Sequence, residues 1–250
     1  TNANGALKLA PEGEVTGRVN GLVGGVAPLD IRLRNGKSGG EAVLRSPNAG
    51  ELMREAGFFD DGAGGELVLV ANIDQAEDLV FNGNLKVDGI IIHEDAKLEK
   101  LLIGADLDKL RETMRSDGIV FDRIRTGFHF EGGKVSIADA IAAGPSIGLN
   151  LKGSYGIEDD HLDLDGVFTP LYAVNSLVGE IPLLGTLLTG GDGQGLFAFN
   201  FSVDGPAEDP SIGVNPLSVL TPGIFRKIFS GSSGSQSSSI EIDETVQGDR

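Results

Sequence analysis

Short segments in which apolar and polar residues alternate, separated by glycine-rich turns, are the feature that most constrains the fold of this chain. Ile147, Leu149 and Leu151 alternate with glycine, asparagine and lysine, and Leu162 and Leu164 alternate with aspartate. A period of two residues is that of a β-strand with one buried face, and short linkers favour antiparallel neighbours. The sequence therefore predicts a mainly β fold: a twisted antiparallel sheet curled into an open groove, with a few short capping helices.

Turn residues set the expected boundaries of the strands. Strands are predicted within residues 1–46, over 66–73, and in four successive segments between 119 and 168. Residues 79–85 and 86–92 are predicted as two separate strands, because Asn-Gly and Asp-Gly pairs in this stretch favour turns. The other Asn-Gly pairs interpreted as turns are at 4–5, 20–21 and 35–36.

Helical spacing of leucines predicts a few short helices among the strands. Residues 95–103 and 106–115 each place their leucines on one helical face. Another short helix is expected to begin at Asn48, whose spacing from Glu51 resembles a capping box, and to end at Gly57.

The stretch from 169 to 229 contains two short apolar segments, a glycine-rich turn, an alternating strand and an apolar end. Two short segments with helical spacing flank Glu180, and neither has the roughly 20 residues needed to cross a bilayer. They fit a buried helical hairpin or a cap on the sheet, and they also fit an element that contacts a membrane or gates a lipid path. The end of the stretch places Arg226 and Lys227 among apolar residues, as in an interfacial segment. The candidate membrane-contact or groove-closing residues are Leu171, Val174, Leu177, Leu183, Leu184, Leu187, Leu188, Ile224, Phe225 and Phe229.

A strongly apolar strand face is predicted between these two apolar regions. Phenylalanines alternate with small or polar residues from 197 to 201, and this face is expected to share an apolar interior with the alternating strands upstream. Alternation alone fits both a lipid-binding groove and an ordinary core. The candidate groove-lining residues are Leu149, Leu151, Leu162, Leu164, Phe197, Phe199 and Phe201.

Charge and the absence of reactive motifs exclude several classes of function. The net charge of −17 argues against nucleic acid as a partner and against broad adhesion to anionic lipid. The chain has no cysteine, and its three histidines lack metal-ligand spacing. The glycine-rich run at 191–195 lacks the Lys-Ser/Thr ending of a phosphate-binding loop. We therefore expect no catalytic residue, no metal and no cofactor, and a protein that is not an enzyme.

Several runs of residues carry a resemblance to a known family. The chain resembles the AsmA-like superfamily of Gram-negative envelope proteins, specifically the C-terminal region of its large YhdP-type members, over residues 40–229. The runs are PLYAVNSL at 170–177, IPLLG at 181–185, GLFAF at 195–199, VDGP at 203–206 and VNPLS at 214–218, with NAGEL at 48–52 and FDRI at 121–124 upstream.

This resemblance implies a function in lipid transport. Such proteins are anchored in the inner membrane and extend through the periplasm as a β-rich groove that moves phospholipid toward the outer membrane. The chain would be the distal piece, without the anchor. Residues 1–46 would continue a longer β-groove, 47–229 would form the AsmA-like C-terminal domain, and the Ser-rich acidic tail at 230–250 would be disordered. Expected partners are phospholipid and a membrane surface or an envelope protein. The alternative is a structural or scaffolding envelope domain that binds a protein partner without carrying lipid.

Overall fold

A single antiparallel sheet of twelve strands dominates the computed structural model, which describes residues 2–9, 15–36, 39–73, 80–170 and 198–215. Each strand pairs with the strands that precede and follow it in the sequence, so the sheet is a continuous meander. The predicted mainly β, antiparallel fold is confirmed. The strands are β1 (Asn2–Leu9), β2 (Val15–Val23), β3 (Ala27–Gly36), β4 (Gly39–Ser46), β5 (Gly62–Ile73), β6 (Phe81–Ile92), β7 (Ile119–Glu131), β8 (Lys134–Ala143), β9 (Ile147–Gly156), β10 (His161–Pro170), β11 (Phe199–Pro206) and β12 (Ser211–Asn215).

Short helices occupy the β4–β5 and β6–β7 connections, close to the predicted positions. They are α1 (Ala49–Glu55), α2 (Ala96–Gly104) and α3 (Asp108–Ser116). The Asn48 side chain accepts a hydrogen bond from the Glu51 amide at 3.2 Å, and the Asp95 side chain accepts one from the Leu98 amide at 2.6 Å. Side-chain capping of this kind satisfies amides that the first helical turn leaves unpaired.

Two expectations about turns are wrong. Residues 79–85 and 86–92 do not form separate strands, since β6 runs without interruption through Asn82-Gly83 and Asp88-Gly89. The Asn-Gly pairs at 4–5 and 20–21 also lie inside strands, where Asn4 faces Asn20 in the β1–β2 pairing. Pairing with neighbouring strands on both sides of β6 outweighs the local preference of these dipeptides for turns, because strand propensity depends strongly on context.

One face of the sheet, called here the inner face, carries an unbroken row of apolar side chains and glycines across ten strands. The strand register places each member of this row directly opposite the next. No polar side chain interrupts the row. Its members are Leu33, Ala42, Ala71, Gly83, Phe128, Ile137, Gly153, Leu164, Val203 and Ile212.

Glycines with positive φ change which residues of β5 and β6 are buried. Gly65 and Gly89 have φ values of 81° and 71°. On one side of Gly89 the buried residue is Val87, and on the other side the buried residues are Ile90 and Ile92. The alternation therefore shifts by one residue at this point, as it does at a β-bulge.

Helix α2 shows that the sheet is curled. A strand spacing of about 4.8 Å would put β12 roughly 29 Å from β6 in a flat sheet. Helix α2 starts shortly after β6 ends at Ile92, and a helix of its length extends only about 14 Å. Its main strand partner among the described strands is nevertheless β12. The sheet must therefore curl until β12 approaches α2.

The hydrophobic core lies between the helices and the inner face. Leu102, Leu110 and Met114 of the helices are at most 2% exposed, as are Ile147 and Phe168 of the sheet. All of these side chains belong to one buried cluster. The helices therefore cover part of the inner face. In the part of the chain that the structure describes, no helix is both long enough and apolar enough to cross a membrane.

Candidate functional site

The strand register brings six of the seven candidate groove-lining residues onto the inner face. Leu149 and Leu151 of β9 lie opposite Phe168 and Gly166 of β10, which in turn lie opposite Phe199 and Phe201 of β11. Leu162 and Leu164 lie on the same face of β10, because they alternate with outward-pointing aspartates. Phe197 lies outside the described residues.

These six residues are packed as part of the core and do not line an open groove. Phe199 and Phe201 are only 8% and 7% exposed and belong to the buried cluster, and the four leucines pack against that cluster. The Phe168 and Phe199 rings stack with centroids 4.9 Å apart. The inner face of β9 to β11 therefore serves largely as core, and we call it the covered face.

A second part of the inner face stays half-buried and outside the buried cluster. We call it the open band; it crosses β5 to β8. The open band consists of Ile73, Phe81, Phe128, Phe130, Val135 and Ile137. The register joins them directly: Ile73 lies opposite Phe81, Phe81 opposite Phe130, and Phe130 opposite Val135. None of these six side chains belongs to the buried cluster that contains the helical side chains, or to the apolar residues packed against that cluster.

The aromatic rings of the open band pack on one another. The Phe81 and Phe130 rings stack with centroids 4.5 Å apart, and the Phe81 and Phe128 rings meet edge to face at 6.0 Å. Gly83 lies opposite Phe128, and a Cβ at that position would collide with the Phe128 ring. Glycine at this position therefore lets the ring lie against the sheet, which leaves a smooth apolar surface.

The size of the open band suits a hydrocarbon chain. Four strands at a spacing of about 4.8 Å span roughly 14 Å from the first to the last. One leaflet of a bilayer has a hydrocarbon depth of about 15 Å, half of the core thickness. The row continues on the β4 side through Ala71 and Ala42 to Leu33, which is 40% exposed. An apolar ligand could thus lie across the strands.

Polar groups lie at one border of the open band. Tyr155 of β9 is opposite Val135, and its hydroxyl donates a hydrogen bond to Asp160 at 2.8 Å. This hydrogen bond, with a smaller effect of burial, raises the pKa of Tyr155. Glu131 and Glu158 lie in or beside the nearby turns. The border is therefore acidic, while the band itself carries no charge.

The polar groups that the structure describes form no recognisable catalytic or metal-binding arrangement. Among those residues, no group of three or more histidines, aspartates and glutamates is placed to hold a metal ion. His161 lies 3.5 Å from Asp204 across β10 and β11, at an exposed position. His129 contacts Asn82 and Glu131 on the opposite face from the open band.

All of the candidate membrane-contact or groove-closing residues, from Leu171 to Leu188 and from Ile224 to Phe229, lie outside the described residues.

The sequence interpretation missed the open band, although the sequence contained a signal for it. Phe128 and Phe130 alternate with His129, and Val135 and Ile137 alternate with Ser136, as regularly as the phenylalanines near position 200.

No protein-family model, curated protein or solved structure matches this chain.

Proposed function

We propose that this chain binds phospholipid through its acyl chains on the open band and passes the lipid along the inner face of the sheet. The observation that carries the proposal is the unbroken apolar row across ten strands, part of which stays half-buried. An acyl chain needs contact area and exclusion of water, and it needs no hydrogen-bond partner. The open band offers these properties without a charged side chain.

Exposure of this surface supports a ligand over simple packing. Phe81, Phe128 and Phe130 each carry a large apolar area, and leaving such area partly in water costs about 25 cal/mol per Å². Monomeric proteins rarely expose a contiguous apolar patch larger than a few hundred Å², and patches above that size usually mark a binding site. The net charge of −17 disfavours nucleic acid as that partner.

The biological setting is part of the proposal and rests on the resemblance to AsmA-like envelope proteins. The chain would act in the periplasm, as the C-terminal module of an inner-membrane-anchored protein that conducts phospholipid between the inner and outer membranes. Its partners would be phospholipid and a membrane surface or an envelope protein. We propose no catalytic step, cofactor or metal for this activity.

Matched substitutions test whether the open band holds the lipid. The purified chain is incubated with phosphatidylethanolamine and phosphatidylglycerol vesicles and then separated from them. Native mass spectrometry measures the fraction of the chain that carries phospholipid. Phe130→Ser and Val135→Ser should lower the fraction that carries phospholipid. Val70→Ser is the control, because Val70 of β5 is a half-buried valine whose register places it on the opposite face.

The outcomes separate the two candidate functions. Loss of lipid from Val135→Ser but not from Val70→Ser, with both variants folded by circular dichroism, supports the proposal. Equal effects of the two substitutions contradict binding at the open band. A parent chain that acquires no phospholipid under any condition favours the alternative, a scaffolding envelope domain that binds a protein partner.

A further inference from the structure

The helix pair α2–α3, called here the strap, crosses the inner face. The chain leaves the sheet at the end of β6 and returns at the start of β7, its direct neighbour. A tight connection would suffice to join two neighbouring antiparallel strands. The strap instead extends to β12, at the edge of the sheet.

A close approach of backbone to side chain fixes the strap to β12. Gly104, the last residue of α2, lies against Val214; a Cβ on Gly104 would be 2.8 Å from Cγ2 and 3.1 Å from Cβ of Val214. A larger residue at position 104 would push against the Val214 side chain. Nearby, the Lys100 ammonium forms an ion pair with Asp209 and lies 3.4 Å from the carbonyl oxygen of Pro210.

Unusual backbone conformations lie at both attachments of the strap to the sheet. Glu94, just before α2, has φ of 51°, and Gly118, just after α3, has φ of 78°. Asp106, between the helices, has φ of 57°. A non-glycine residue in the left-handed region is strained, and residues that absorb changes in backbone angle at hinges are found at such element ends.

Beneath this contact the apolar inner face continues. Gly153, Leu164, Val203 and Ile212 lie opposite one another in register, so the row that crosses the open band reaches β12 two residues from Val214, which contacts α2. Leu101 and Leu102 of α2 are 5% and 0% exposed, so this part of the strap is packed against the rest of the chain in the structure. A ligand that moves along this row from the open band therefore meets α2 where the row reaches β12.

We propose that the strap is a gate which controls passage of the lipid from the open band to the β12 edge. The inference rests on the proposed function and adds a conformational change of the strap to it. The strap pivots at Glu94 and Gly118, and its release from β12 separates Gly104 from Val214 and breaks the Lys100–Asp209 ion pair. This pair is exposed, so it is a weak contact that can break and re-form readily.

An engineered disulfide tests the gate. Gly104→Cys with Val214→Cys places two thiols on Cβ positions 3.1 Å apart, so a disulfide forms after the two backbones separate by less than about 1 Å, to the roughly 3.8 Å that disulfides prefer. The parent has no cysteine, so no other disulfide can form within one chain, and a disulfide between two chains is recognised by its doubled mass. Transfer of a fluorescent phosphatidylethanolamine from donor to acceptor vesicles is measured before and after oxidation, and bound lipid is counted by native mass spectrometry.

The expected result is that the oxidised variant still acquires lipid but transfers it at least about tenfold more slowly, with recovery after reduction. Equal transfer by the oxidised and reduced forms, with lipid bound in both, contradicts the gate and leaves the proposed function intact. Failure of either form to acquire lipid contradicts the proposed function and the gate together.

A second variant keeps the inference testable if the disulfide variant does not fold. Lys100→Ala removes the ion pair to Asp209, in the turn that precedes β12, and should speed transfer. Asp108→Asn is the matched control, because it breaks an exposed ion pair with Arg111 inside α3, away from β12. Faster transfer in Lys100→Ala alone supports the gate, and equal rates in the two variants contradict it.

Discussion

The open band and the covered face use the same local arrangement in different surroundings. In the open band, the Phe128 ring lies over Gly83 of the neighbouring strand; in the covered face, the Phe201 ring lies over Gly166. Phe201 is 7% exposed and part of the buried cluster, whereas Phe128 is half-buried and outside it. Identical strand chemistry thus produces core in one region and an accessible apolar surface in the other.

The strap accounts for this difference. It is inserted between β6 and β7 but packs toward β12, so it contributes to the cluster that includes Phe199 and Phe201. An apolar strand face becomes core only where another element covers it.

Phe199→Asp should unfold the chain. Its carboxylate would replace a ring that stacks on Phe168, and an unpaired charge there costs more than about 4 kcal/mol. Phe130→Asp, in the open band, should leave the fold intact and abolish lipid binding, because its carboxylate can reach water. Circular dichroism and native mass spectrometry measure the two effects. A folded Phe199→Asp variant would contradict the assignment of β11 to the core.

Truncation of aromatic rings should also distinguish the regions. Phe168→Ala should lower the free energy of unfolding by about 3–5 kcal/mol, because Phe168 is fully buried. Phe128→Ala should lower it by about 1–2 kcal/mol, since less of its area is removed from water. Urea denaturation measures both values, and similar losses would show that the two regions are equally packed.

Adding a methyl group beneath the Phe201 ring or the Phe128 ring should have a smaller effect on the free energy of unfolding. Gly166→Ala should cost about 1–3 kcal/mol, because its Cβ would meet the buried Phe201 ring and would lie 2.6 Å from the Asn150 carbonyl oxygen. Gly83→Ala should cost less than about 1 kcal/mol, since only the half-buried Phe128 ring must move. Thermal melting of both variants checks the order, and a larger loss for Gly83→Ala would reverse the comparison.

Substitution of Asp61, a titratable residue close to the start of the strap, should have the smallest effect on stability. Burial, and then the nearby Asp95 charge, raise the pKa of Asp61 above its ordinary 3.8, and the Asp61 carbonyl accepts a hydrogen bond from the His93 amide. Because its pKa is higher in the folded state, the folded chain binds the proton more tightly, and stability falls as pH rises through that pKa. Asp61→Asn should therefore raise the melting temperature slightly at neutral pH.

The gain from Asp61→Asn should disappear once the pH is low enough to protonate Asp61 in both states. Asp163→Asn, at an exposed position on the outer face of β10, serves as the control and should change the melting temperature little. Melting curves at neutral pH and about one unit below the ordinary pKa of 3.8 measure the difference between each variant and the parent. A gain that is the same at both pH values would argue against titration of Asp61.

Sequence patterns predicted most strands because alternation is a local property. The strands between 119 and 170 and the helices near 96 and 108 match the predictions closely. The glycine at 83 misled the prediction, since Asn-Gly favours a turn in isolation. Its actual role depends on Phe128, 45 positions away in the sequence, which the register of β6 and β7 places opposite it.

Sequence alone determined that this chain forms an antiparallel sheet with one apolar face, since the period of two fixes which side chains share a face. It could not determine which part of that face is core. Leu149, Phe199 and Phe128 all lie in segments with the same alternation of apolar with small or polar residues. Only the curl of the sheet and the path of α2 to β12 make their surroundings different. Burial depends on contacts between residues distant in sequence, which a local period does not specify, and so the tertiary structure alone placed the open band on β5 to β8.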